Sequence, residues 1–186
     1  MFADSVQKLL SLWQMCDEID VDVGPAKVST AVTIVPLDSW YTCLFDHHDP
    51  RPGSALFDKW CNWPIGYDDV WQFMTGLNEA RLQIVEKHAA EHGGAGDVIT
   101  FSHFLPRKEL PIPGIHEMAK ACGCPMVETQ LRRIGSKCHI FGHTHINTVD
   151  TLQGVTYMQN AMGYGIAPGT KLTVIHDSGR FKTYLA

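Results

Sequence analysis

The chain has 186 residues, of which 45% are hydrophobic, with a formal net charge of -5; that is enough apolar side chain for the core of a single domain. The acidic balance argues against sequence-independent nucleic-acid binding, which needs a concentrated basic face, and leaves room only for a local basic patch. No apolar run approaches the roughly 18 residues of a membrane span, so no transmembrane segment is expected.

Asp4 has the side chain of a helix N-cap, with Gln7 at the reciprocal capping position. Val6, Leu9, Leu10 and Trp13 follow at helical spacing and predict a helix to about Asp17 whose apolar stripe enters the core. Residues 27–35 alternate around Val28, Val32 and Ile34 and predict one strand that stops at Pro36 and feeds a loop beginning Asp38-Ser39-Trp40-Tyr41. Residues 46–68 turn to Pro, Gly, His and aromatics and read as a long irregular loop. Its Asp46-His47-His48-Asp49 string reads as a solvated loop or a substrate-side lid rather than a metal site, because adjacent side chains point apart.

A second helix is predicted from Asp69 to His92, closed by Gly93-Gly94, with Glu79, Arg81, Glu86 and Lys87 on a solvated face. A strand over 97–102 follows, then a loop carrying His103 and a helix from Met126 to Ile134. Cys122-Gly123-Cys124 reads as a turn with two small residues, the other reading being a redox or metal pair. The six cysteines form no regular framework, which points to reduced thiols and an intracellular, reducing compartment. Strands are predicted at 138–141, 155–160, 171–176 and 181–185, the last two joined by a turn at Asp177-Ser178-Gly179-Arg180. Helices alternating with strands and ending in a run of strands define an α/β layered fold over 1–186.

The chemistry concentrates in Cys138-His139-Ile140-Phe141-Gly142-His143-Thr144-His145-Ile146. If the backbone stays extended past the glycine, the period of two puts His143 and His145 on one side, and Gly142 has no Cβ to block a close approach. Two convergent neutral imidazoles suit Zn, Fe or Mn. Some forty residues upstream, Asp97 to Arg107 repeats the arrangement: a β-branched strand, then His103, then Pro106. Ligands at the carboxyl ends of strands are a common layout of open α/β sites. Arg107 could clamp a phosphate or pair with a nearby acid. His139 and Cys138 read as core residues.

These blocks resemble the calcineurin-like metallophosphoesterases, and within them a plant, algal and protist branch. The resemblance rests on Val35-Pro36-Leu37 with Ser39-Trp40-Tyr41, on Ser102-His103-Phe104-Leu105-Pro106-Arg107, on Gly142-His143-Thr144-His145, and on Gly154-Val155-Thr156-Tyr157-Met158-Gln159-Asn160, in that order. It implies that His103 and His143 ligate one divalent ion (Mn, Fe or Zn) and His145 a second, and that the substrate is a phosphate ester. Tyr164 joins Arg107 as a candidate for substrate binding, although Gly165 stands where relatives carry proline.

The family's first three metal motifs, Asp-x-His, Gly-Asp-x-x-Asp and Gly-Asn-His-Asp/Glu, do not occur here and would precede residue 1. The resemblance therefore implies the C-terminal half of a four-layer α/β/β/α sandwich, with a mixed sheet ending in antiparallel strands. It also implies about half of a two-metal site, inactive in this chain alone. The other reading is a non-catalytic remnant that serves as a subunit of a larger assembly. Either way an apolar sheet face is expected to need a protein partner.

Overall fold

The computed structural model describes residues 2–46, 60–66, 69–112, 119–161, 173–177 and 180–185. Tyr164, His47, His48, Asp49 and most of the 46–68 loop lie outside the described residues.

Helix α1 (Ser5–Glu18) begins where Asp4 predicts: Asp4 Oδ1 accepts from the Gln7 N–H at 2.8 Å, and Gln7 Oε1 accepts from the Ala3 N–H at 2.7 Å. Its stripe corrects the expectation of a core helix. Val6, Leu9 and Trp13 are half-buried and Leu10 is 54% exposed, so α1 contributes no fully buried side chain. The stripe turns instead toward the second helix, where the Arg81 guanidinium lies 5.5 Å from the Trp13 ring centre.

The single strand expected over 27–35 is a short hairpin. β1 (Ala26–Lys27) pairs antiparallel with β2 (Val32–Pro36), and Val28 sits in the connection, exposed. Helix α2 (Val70–His92) ends at Gly93, whose φ of 71° is the left-handed conformation that glycine adopts without strain. β3 (Asp97–Phe101), α3 (Pro125–Arg133), with proline at the first helical position, and β4 (Ser136–Ile140) follow. β5 (Thr148–Leu152) and β6 (Val155–Gln159) form a hairpin across Gln153-Gly154, with φ of 50° and 81°. Two positive φ values in a two-residue connection fit a type I′ turn. β7 (Thr173–Asp177) and β8 (Arg180–Leu185) pair antiparallel.

The first six strands form one mixed sheet in the order β1-β2-β3-β4-β6-β5. β2, β3, β4 and β6 are mutually parallel and the edge strands β1 and β5 run antiparallel to them, so the architecture is α/β with a mixed sheet. Helices α2 and α3 cover one face, with Leu82 and Leu131 in one core with the sheet residues Val35, Val98 and Tyr157. The opposite face carries Val32, Ile99 and Cys138, flanked by Ile34 and Ile140. Its centre is closed within the chain, with Ile99 5% exposed. The bare apolar face expected from the resemblance is reduced, among the described residues, to the carboxyl edge, where Phe101 is 42% exposed.

Arg81 corrects the expectation of a wholly solvated outer face on α2. It is 8% exposed and pairs with Asp38, while Glu79 and Glu86 do lie outside and grip Arg133. None of the six cysteines is bridged, and Cys122, Cys124 and Cys138 are buried with thiols pushed up to about 11 by loss of solvation. A Cβ on Gly123 would stand 2.3 Å from the Phe45 ring and 2.4 Å from the Leu105 carbonyl, so the Cys-Gly-Cys turn exists for close backbone approach. No described helix is long and apolar enough to cross a membrane.

Candidate functional site

Because four strands run parallel, their carboxyl ends open at one edge of the sheet, and the loops that leave them meet there. After β2 come Leu37, Asp38, Ser39 and Trp40; after β3, Ser102 and His103; after β4, Phe141 to His145. The ladder continues past the strand ends and stitches these loops together. Leu37 N–H donates to the Phe101 carbonyl at 2.9 Å, Ser102 N–H to Ile140 at 3.0 Å, and Phe141 N–H to Met158 at 2.9 Å. Between them lies a cavity of about 1110 Å³ whose wall includes Leu9, Trp40, Tyr41, Phe104, His103, His143 and His145.

The three predicted histidines therefore share one pocket. His103 Nε2 and His143 Nδ1 are 3.1 Å apart, with the rings nearly perpendicular at 78°. Phe104 packs against both, at 4.8 Å from the His103 ring centre and 4.7 Å from that of His143. The local backbone differs from the extended run expected. His143 and His145 have φ of 72° and 56°, and the Thr144 N–H donates to the Gly142 carbonyl at 2.9 Å. An i to i+2 bond across a residue with positive φ is a γ-turn of the rarer, strained hand. Gly142 is less constrained than expected: a Cβ there would meet the His103 ring at 3.5 Å, an ordinary contact.

The electrostatics keep the histidine pair neutral. Loss of solvation lowers His103 below the usual imidazole range, with the nearby His145 adding to it. Burial pushes His143 down to about 4, reinforced by His103 and His145 and opposed by a backbone hydrogen bond at Ala121. Neutral imidazole is the form that ligates a metal. Among the described wall residues only Asp38 carries a carboxylate, and it is engaged by Arg81.

His139 is the core residue expected. It is fully buried, with Nδ1 2.8 Å from Thr100 Oγ1 and Nε2 3.1 Å from Ser102 Oγ. Arg107 lies outside the cavity wall and is held by Glu109 at 2.8 Å, Glu128 at 3.1 Å and Gln153 at 3.0 Å, over the Tyr157 ring. Tyr157 in turn donates to Glu128 at 2.7 Å.

Two sets of contacts around the site were not foreseen from the sequence. One is the polar lock beneath the β2 loop. Asn78 is fully buried, accepts from the Asp38 N–H at 2.7 Å, and donates to the Asp38 carbonyl and to Gln130, both at 2.8 Å. The other is the pairing of Thr144 with Gln159 at 2.9 Å.

A metal ion can be tested against this geometry. Two nitrogens each about 2.1 Å from one ion stand roughly 3.0–3.4 Å apart for ligand angles of 90–109°. The His103–His143 separation of 3.1 Å falls inside that range, and it is equally the length of a hydrogen bond between the two rings, so the distance is compatible with a shared ion once that bond gives way. Among the described residues no group of three or more His, Cys, Asp or Glu converges closely enough to complete a site.

The chain is similar in fold to the crystal structure of the phosphopantetheinyl hydrolase PptH from Mycobacterium tuberculosis, with a TM-score of 0.66 and 20% sequence identity. The match covers 88% of this chain and 62% of that one, so the chain spans less than two thirds of the length of this solved relative. No protein-family model matches the chain, and no curated protein matches it in sequence. At this identity the likeness defines the fold, an α/β arrangement shared with that hydrolase.

Proposed function

We propose that this chain carries the histidine part of a divalent-metal phosphoesterase centre. His103 and His143 hold one ion, and His145, on the same wall, reaches toward a second. The observation that carries the reading is the 3.1 Å approach of two neutral imidazoles delivered by different strands to the carboxyl edge of the sheet. The fold likeness to a phosphopantetheinyl hydrolase and the Gly-His-Thr-His string support it. An ion bound here would polarise a phosphoryl oxygen and acidify a water. The protein's own groups fix the geometry: Phe104 packs the two rings, the Gly142–His103 backbone bond joins their loops, and Leu9, Trp40 and Phe104 give the cavity an apolar lining.

A catalytic two-metal centre also needs a bridging carboxylate. Among the described wall residues Asp38 is the one carboxylate, and it is already paired, so the chain by itself is read as inactive in hydrolysis. A second reading, an interaction subunit of a larger assembly, is favoured by α1 and its C-cap, where Leu10, Leu12 and Met15 in the helix and Ile19 just after it are all exposed. Isothermal titration separates the two. On the metal-centre reading Zn²⁺ or Mn²⁺ binds the wild-type chain and His143→Ala weakens binding at least tenfold. Equal or absent binding in both proteins leaves the interaction reading.

A further inference from the structure

We propose that Gln159, acting with Thr144, is the positioning residue of the histidine turn; the inference rests on the metal-centre reading above. The turn needs such a device. Non-glycine residues in the left-handed region cost on the order of 1–3 kcal/mol each and persist only where the surroundings over-determine them. Here two such residues, His143 and His145, flank Thr144, and the first is the centre of a strained γ-turn.

Gln159 provides the restraint. It is the last residue of β6, only 3% exposed, and its single amide nitrogen donates twice: to Thr144 Oγ1 at 2.9 Å and to the Ile146 carbonyl at 2.6 Å. The two bonds grip the chain on both sides of His145. The orientation of the amide is fixed, because the Ile146 carbonyl can only accept. Thr144 is itself 9% exposed, so water does not readily replace the bond. At the other end of the turn the Gly142 N–H donates to the His103 carbonyl at 3.0 Å. The turn is thereby pinned between the His103 loop and β6. β6 is parallel to β4, so Gln159 leaves the sheet at the same edge as the histidines. Gln159 touches no imidazole through the bonds described, and its effect on His143 and His145 passes through Thr144 and the backbone.

The test uses the full chain with ¹⁵N-labelled histidine. In Gln159→Leu, which keeps the bulk and removes both donors, the His143 and His145 ring signals shift. Zn²⁺ affinity falls about 10- to 100-fold, the usual effect of removing an outer partner of a metal ligand. Thr144→Val gives the same shifts to a smaller degree, and Thr144→Ser restores the wild-type spectrum. Unchanged His143 and His145 signals in folded Gln159→Leu overturn the proposal. If Gln159→Leu does not fold, the Thr144 pair decides: shifts in Val and not in Ser support it, and identical spectra in the two overturn it. Should the wild-type chain bind no Zn²⁺, the metal-centre reading fails while the ring signals still decide the role of Gln159.

Discussion

His103 Nε2 and His143 Nδ1 meet at 3.1 Å although the residues are 40 positions apart and leave different strands. Parallel pairing of β3 with β4 sets that distance, since Phe101 stands opposite Ile140 and each strand releases its histidine within three residues of that pair. The histidine pair is thus a consequence of strand register, and any change that shifts the register disperses the site.

The wall that faces the pair depends on Asn78. Its amide, itself fully buried, exchanges two hydrogen bonds with the Asp38 backbone and reaches Gln130. Asn78→Leu leaves the Asp38 N–H and carbonyl without their partner, and a buried unsatisfied polar group costs about 1–3 kcal/mol. The expected loss is roughly 2–4 kcal/mol, read as a lower urea midpoint with unchanged slope. A change below about 0.5 kcal/mol, the range of ordinary surface substitutions, would show that the lock is dispensable.

His139 sets a pH limit on stability. Burial pushes it from 6.5 down to about 3 in the folded chain. Between those two values the unfolded chain binds the proton and the folded chain does not, so stability rises with pH across that window. The contribution is complete above about 6.5 and is lost as pH falls, at most about 1.4 kcal/mol per pH unit. The His139→Leu variant should lack this component, since Thr100 keeps Ser136 and Ser102 keeps the Phe104 carbonyl as partners. Urea midpoints measured from pH 7 to pH 4 provide the comparison. An equally steep fall in the variant would assign the acid sensitivity to other groups.

Hydrolysis is expected to be absent from the isolated chain. With Mn²⁺ or Zn²⁺ present, wild type and His143→Ala should release product from an aryl phosphate at the same background rate. Metal-dependent turnover that disappears in His143→Ala would mean that this chain contains a substitute for the bridging carboxylate.

Much of the site's composition was legible in the sequence because strand, glycine and histidine follow one another locally. The 97–101 and 136–140 strands and both predicted helix ends near Gly93 and Gly135 lie within two residues of expectation for the same reason. The turn's conformation was not legible. A Gly-His-x-His string is compatible with extended backbone, and what bends it is a hydrogen bond from Gln159, fifteen positions away. Arg81 looked solvated because its charge lies among Glu79, Glu86 and Lys87, whereas its partner Asp38 belongs to another element. β5 was missed because an edge strand of half-exposed Thr148, Asp150 and Leu152 presents little apolar alternation.

The central claim is that His103 and His143 hold one ion, and anomalous diffraction from crystals of the chain soaked with Zn²⁺ tests it most directly. The account predicts a peak about 2.0–2.1 Å from His103 Nε2 and His143 Nδ1. A fully occupied peak elsewhere with none between these two nitrogens, or no peak at a concentration that saturates other zinc sites, would contradict it.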